Sequence, residues 1–78
     1  MNALNITLST PKVTEYRLRY FFDGRRNDIK IFAESDAEAI HDADILFARL
    51  NYRPHWNHYN YPVILWDITW GRRVKQYR

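Results

Sequence analysis

The sequence predicts a small α+β domain: an antiparallel sheet of three to four strands with one helix across one face, in the order β-β-α-β-β. Three observations carry this. Two alternating runs are joined by Asp23-Gly24, a helical stripe follows a capping signal at Ser35, and a further alternating run begins at Val63. At 78 residues the chain makes one domain, and with no cysteine it must be held by packing alone. Its six Tyr, four Phe and three Trp supply the large apolar volumes that this requires.

The first strand spans Val13 to Phe22, with Tyr16, Leu18, Tyr20 and Phe22 toward the core and Glu15, Arg17, Arg19 and Phe21 opposite. After the turn, Ile29, Ile31 and Ala33 return to the core side and leave Lys30 and Phe32 pointing away. Ser35-Asp36-Ala37-Glu38 has the spacing of a capping box, so a helix starts at about Ser35. Its stripe is Ile40, Ala43, Phe47 and Leu50, flanked by Ala39 and Leu46, and Asn51 with Pro54 ends it.

Asn51 to Pro62 is a long loop crowded with aromatic, His and Asn side chains, and a cis Tyr61-Pro62 bond is one way to fix its exit. Val63 to Trp70 is the strongest strand. Its wholly apolar set, Ile64, Trp66, Ile68 and Trp70, reads as the core face, with Val63, Leu65, Asp67 and Thr69 opposite. Gly71 permits a turn, after which Arg72 to Arg78 pair back as a basic edge strand around Val74 and Tyr77. Leu4, Ile6 and Leu8 also alternate, so residues 1–11 form an arm or an extra strand. One helix covers one face. The other face is open and carries Arg17, Arg19, Phe21, Lys30, Phe32, Val63, Leu65 and Thr69.

The composition argues against chemistry. Without cysteine there is no thiolate zinc site, iron–sulfur cluster or thiol nucleophile, and with Gly24 and Gly71 as the two glycines there is no phosphate loop. His55 and His58 offer two imidazoles on a loop, fewer than a zinc site needs, and His41 with Asp44 has no suitable nucleophile nearby. The expectation is no enzyme, no cofactor and no metal. The start of the chain has neither a signal peptide nor a membrane span, which points to the cytoplasm and to no membrane partner.

Two surfaces suit binding. Between Glu34 and Leu50 five acids stand against Arg49, a balance of −4, so the rest of a chain at +3 overall carries +7. The leading reading is a non-enzymatic protein-binding module, an inhibitor or adaptor, that uses Tyr52, Arg53, Trp56, His58 and Tyr59 of the loop with Glu38, Asp42 and Ile45 of the helix. The alternative is a nucleic-acid-binding module built from Arg17, Arg19, Phe21, Lys30, Phe32, Arg72, Arg73 and Lys75. A third use of the open face is a homodimer packed through Phe21, Phe32 and Leu65. The passage Ile31 to Ile40 resembles the strand-to-helix junction of many small phage and plasmid proteins, although alternation and capping account for it in full. Chain size is what suggests a phage or plasmid origin, with a host or defence protein as target.

Overall fold

The computed structural model describes residues 12–52 and 61–78. The anticipated arm at residues 1–11 and most of the aromatic loop therefore lie outside the described residues. Strands β1 (Thr14–Phe22) and β2 (Arg25–Ala33) form a hairpin over nine facing pairs, from Thr14 with Ala33 to Phe22 with Arg25. Asp23 and Gly24 close it with φ of 54° and 76°. Two positive φ values in a two-residue loop are the turn whose twist matches that of the flanking strands, and Asp and Gly tolerate that conformation better than most residues.

Helix α1 (Asp36–Asn51) begins where the capping signal places it. Ser35 Oγ accepts a hydrogen bond from the Glu38 amide at 3.2 Å. The Glu38 carboxylate accepts from the Glu34 amide at 3.2 Å, one residue before the position a reciprocal box would use. The helix carries the chain across β1 and delivers it to β3 (Ile64–Asp67), which pairs antiparallel with β1. Strand β4 (Arg72–Gln76) then pairs with β3, so the sheet order is β2-β1-β3-β4. The Tyr61-Pro62 peptide bond is trans.

The core lies between the sheet and α1. Leu18, Leu65 and Val63 are fully buried there with Ala39 and Ala43, and Tyr16, Ile31, Ala33 and Leu50 complete the cluster. Of the helix stripe, Ala39, Ala43 and Leu50 are buried, while Ile40, Leu46 and Phe47 pack around the rim. Phe22, placed on the core side by alternation, is exposed at the hairpin tip.

Strand β3 reverses the orientation that hydrophobicity alone suggests. Leu65 faces Leu18 and Asp67 faces Tyr16 in the register, so Val63, Leu65 and Asp67 point to the helix and Ile64 and Trp66 to the open face. Two physical reasons favour this. The helix contacts the sheet through alanines, which leaves depth for Val and Leu but not for an indole. The polar member of the buried set is also satisfied, because Asp67 accepts from Arg72 Nη2 at 3.0 Å and from the Trp70 amide at 3.3 Å. The strand stops at Asp67, and Trp70 stands exposed in the turn before β4.

A β-bulge shapes β4. Leu65 pairs with Lys75 and Trp66 with Arg73, so Val74 is an extra residue. Regular alternation would send Arg72 and Lys75 to opposite faces. The bulge turns both toward the helix, together with Tyr77.

Replacing Leu65 by Ala should therefore cost ~2–5 kcal/mol of stability, as for other buried leucines, and Trp66→Ala should cost clearly less despite the larger side chain. Urea midpoints of the two variants check this, and the opposite ranking would mean that Trp66 faces the core.

Candidate functional site

Exposed apolar side chains flank the outer edge of β2. An open groove of about 380 Å³ is lined by Ile29, Lys30, Ile31 and Phe32 of β2 and by Asp42, Ile45 and Leu46 of α1. Phe32 is 61% exposed and Ile45 43% exposed. A lone exposed apolar residue is ordinary, but these two stand on either side of a strand edge that no other strand pairs with among the described residues. Two of the three helix residues expected at a protein contact, Asp42 and Ile45, thus line a groove. The third, Glu38, is exposed one turn toward the N-terminus, and Tyr52, 88% exposed, caps the other end of the helix. Arg53, Trp56, His58 and Tyr59 lie outside the described residues.

The open sheet face holds Arg17, Arg19, Phe21, Lys30 and Phe32 as alternation requires. It lacks Val63 and Leu65, which are buried on the other side, and gains Ile64, Trp66 and Arg73. The burial of Leu65 removes it from any dimer interface on this face. Much of the charge here is already compensated. Arg19 makes a two-pronged contact with Asp28 at 3.0 and 3.3 Å, and Arg17 bonds Glu15 at 2.9 Å with Asp28 at 3.7 Å. The guanidinium groups of Arg19 and Arg73 each lie 5.9 Å from the centre of the Trp66 ring. Phe21 packs on Tyr61 with ring centres 4.6 Å apart. A small pocket of about 170 Å³ lies between Arg19, Phe21, Pro62, Ile64 and Trp66. The buried Nε1 of Trp66 has no hydrogen-bond acceptor among the described residues.

Arg72 and Lys75 do not belong to that face, which corrects the expected nucleic-acid set. Arg72 donates to both oxygens of Asp36, at 2.9 and 3.0 Å, and to Asp67. Tyr16 adds its hydroxyl to Asp36 at 2.8 Å. Lys75 donates to Asp44 at 2.9 Å, and Tyr77 donates to the same carboxylate while its ring stacks on Phe47 at 4.8 Å. Two of the four helix acids therefore tie α1 to β4 rather than offering charge to a partner. Strand β3 also separates β1 from β4, so the arginines of the first strand and the tail meet only around Trp66.

Among the described residues no three His, Asp or Glu side chains gather as a metal site, and no helix is long and apolar enough to cross a membrane. No protein-family model, curated protein or solved structure matches this chain.

The clamps set the pH response. Hydrogen bonds from Arg72 and then Tyr16 hold Asp36 below its ordinary 3.8, and those from Tyr77 and then Lys75 do the same for Asp44. A depressed carboxylate contributes stability that is complete above its unfolded pKa and is lost as pH falls through the folded one. Burial, and then Asp36, pushes the Tyr16 hydroxyl up from 10.0 to about 12, so its contribution is complete below 10.0 and fades as pH rises toward that value. Wild-type stability should be flat near neutrality and should fall below about pH 4. The double variant Asp36→Asn, Asp44→Asn should start lower and lose less across the acid range, because it lacks the two depressed carboxylates, and the difference should be modest because both are half exposed. Urea titrations at a series of pH values test this, and parallel acid curves would refute it.

Proposed function

We propose that this chain is a small protein-binding module, an inhibitor or adaptor that works by surface complementarity and has no catalytic step. The observation that supports it best is the groove at the β2 edge, where Phe32 and Ile45 present exposed apolar surface beside a strand edge that is unpaired among the described residues. Asp42 within the groove and Glu38 above it give that surface a polar rim, the usual anatomy of a protein contact. Tyr52 extends it toward the aromatic loop, whose Arg53, Trp56, His58 and Tyr59 belong to the same reading. The cytoplasm, and a phage or plasmid origin with a host or defence protein as target, complete the proposal.

The nucleic-acid reading draws less support from the geometry. Of its eight residues, Arg72 and Lys75 are engaged by helix acids, and Arg17 and Arg19 by Glu15 and Asp28. Phe21, Lys30, Phe32 and Arg73 remain, a short row for a charged track.

A photo-reactive benzophenone side chain placed at position 45 should form discrete adducts that are cleaved by protease when the producing cells are irradiated. The same group at Gln76, exposed on the far edge, should give none. Adducts sensitive to nuclease would establish the nucleic-acid module instead. No adduct at position 45 would sink the protein-binding proposal.

A further inference from the structure

We infer that the occupant of the β2 edge is a second copy of this chain, joined β2 to β2 about a two-fold axis that passes through Ile29. This rests on the reading of that groove as a protein contact and assigns the groove to self-association, so that a host or defence protein would engage the chain elsewhere.

The two edges of the sheet differ in a way that singles out β2. Strand β4 is five residues long and bulged, two devices that keep an edge from pairing with another chain. Strand β2 is nine residues long and pairs with β1 without a register shift. The two-residue turn makes Phe22 and Arg25 the closing hydrogen-bonded pair, so by alternation the backbone groups of Arg26, Asp28, Lys30 and Phe32 point off the open edge.

The side chains of β2 are self-complementary in one register. Two copies that keep their helices on the same side of a continuous sheet must face residues of the same parity. With Ile29 facing the partner's Ile29, Asp28 faces the partner's Lys30 and Arg26 faces the partner's Phe32. Lys30 of each copy then joins Arg19 and Arg17 around the Asp28 carboxylate that it faces, and a cation lies beside an aromatic ring on the open face. Shifting the axis by one residue keeps the parity but sets like charges face to face, Lys30 against the partner's Lys30 or Asp28 against the partner's Asp28. Shifting it by two puts Asp28 opposite the partner's Glu34 when the axis moves to Ile31, and when it moves to Asn27 it carries Ile31 and Phe32 past the end of the partner's β2. On the helix side the groove closes over Ile29, Ile45 and Leu46 of both copies. Asp42 and Arg49 lie one turn to either side of Ile45, so antiparallel helices meeting there oppose acid and base.

A cysteine-free chain makes the register directly testable. Wild-type protein at high micromolar concentration should sediment with twice its 9.5 kDa mass. Ile29→Cys should crosslink to itself under mild oxidation, since facing residues of a non-hydrogen-bonded pair lie ~4.5 Å apart at Cα, within the disulfide range. Lys30→Cys, whose thiols would be offset along the strands, should crosslink at most a tenth as fast. A third variant, Lys30→Asp, should weaken the dimer at least tenfold by setting like charges opposite Asp28. A 9.5 kDa species at all concentrations overturns the second-copy assignment, and so does a dimer in which the Ile29→Cys thiol has no advantage. In either case adducts of another mass at position 45 would leave the protein-binding reading standing, whereas their absence would remove both.

Discussion

The close approach of the helix to the sheet, set by Ala39 and Ala43, is the constraint from which the other features follow. Two fully buried alanines at the contact leave a shallow space, and Leu18, Val63 and Leu65 fill it. An indole does not fit such a space, so β3 turns Trp66 outward and brings Asp67 in. A buried carboxylate must then be paired, and Arg72 pairs it. Arg72 reaches that position because Val74 bulges out of β4, and the same bulge delivers Lys75 and Tyr77 to Asp44. Packing depth thus decides the orientation of a strand, and that orientation decides where the charges of the tail are used.

Most of the architecture was legible in the sequence because its signals are local. The Asp23-Gly24 turn, the alternation from Thr14 to Phe22 and the cap at Ser35 each depend on residues within a few positions of one another. The orientation of β3 was not legible. Both sides of Val63 to Trp70 carry apolar residues, and hydrophobicity ranked Ile64 and Trp66 above a set that contains Asp67. What reversed the ranking was the small size of residues on another element and a partner for Asp67 on a third. The destination of Arg72 and Lys75 was hidden for a similar reason, since a single unpaired residue in the strand exchanges the faces of everything on one side of it. The groove at the β2 edge was half visible. Asp42 and Ile45 were singled out on the helix and Phe32 on the strand, but as members of separate surfaces that only the fold brings together.

The electrostatic pattern separates structural from available charge. A chain with a formal charge of +3 has an acidic helix, and the opposite signs could have been displayed to partners on opposite faces. Instead Asp36 and Asp44 are joined to β4, and Asp28 is joined to Arg17 and Arg19 on the sheet. Individually such half-exposed pairs stabilise the fold little. Together they fix which strand lies beside which end of the helix, and they leave the rim of the groove, with Glu38, Asp42 and Lys30, as charge that remains exposed.

The central position of β1 also has a consequence for the order of events during folding. One of its neighbours follows after a two-residue turn and closes in microseconds, as hairpins do, whereas the other arrives only after the helix and the loop beyond it. Until then, β1 holds an unpaired edge of alternating Tyr, Leu and Arg with the face of Leu18 only partly covered. During synthesis that interval lasts as long as the ribosome takes to complete β3, and the arginines between the apolar residues act through it as gatekeepers against premature association.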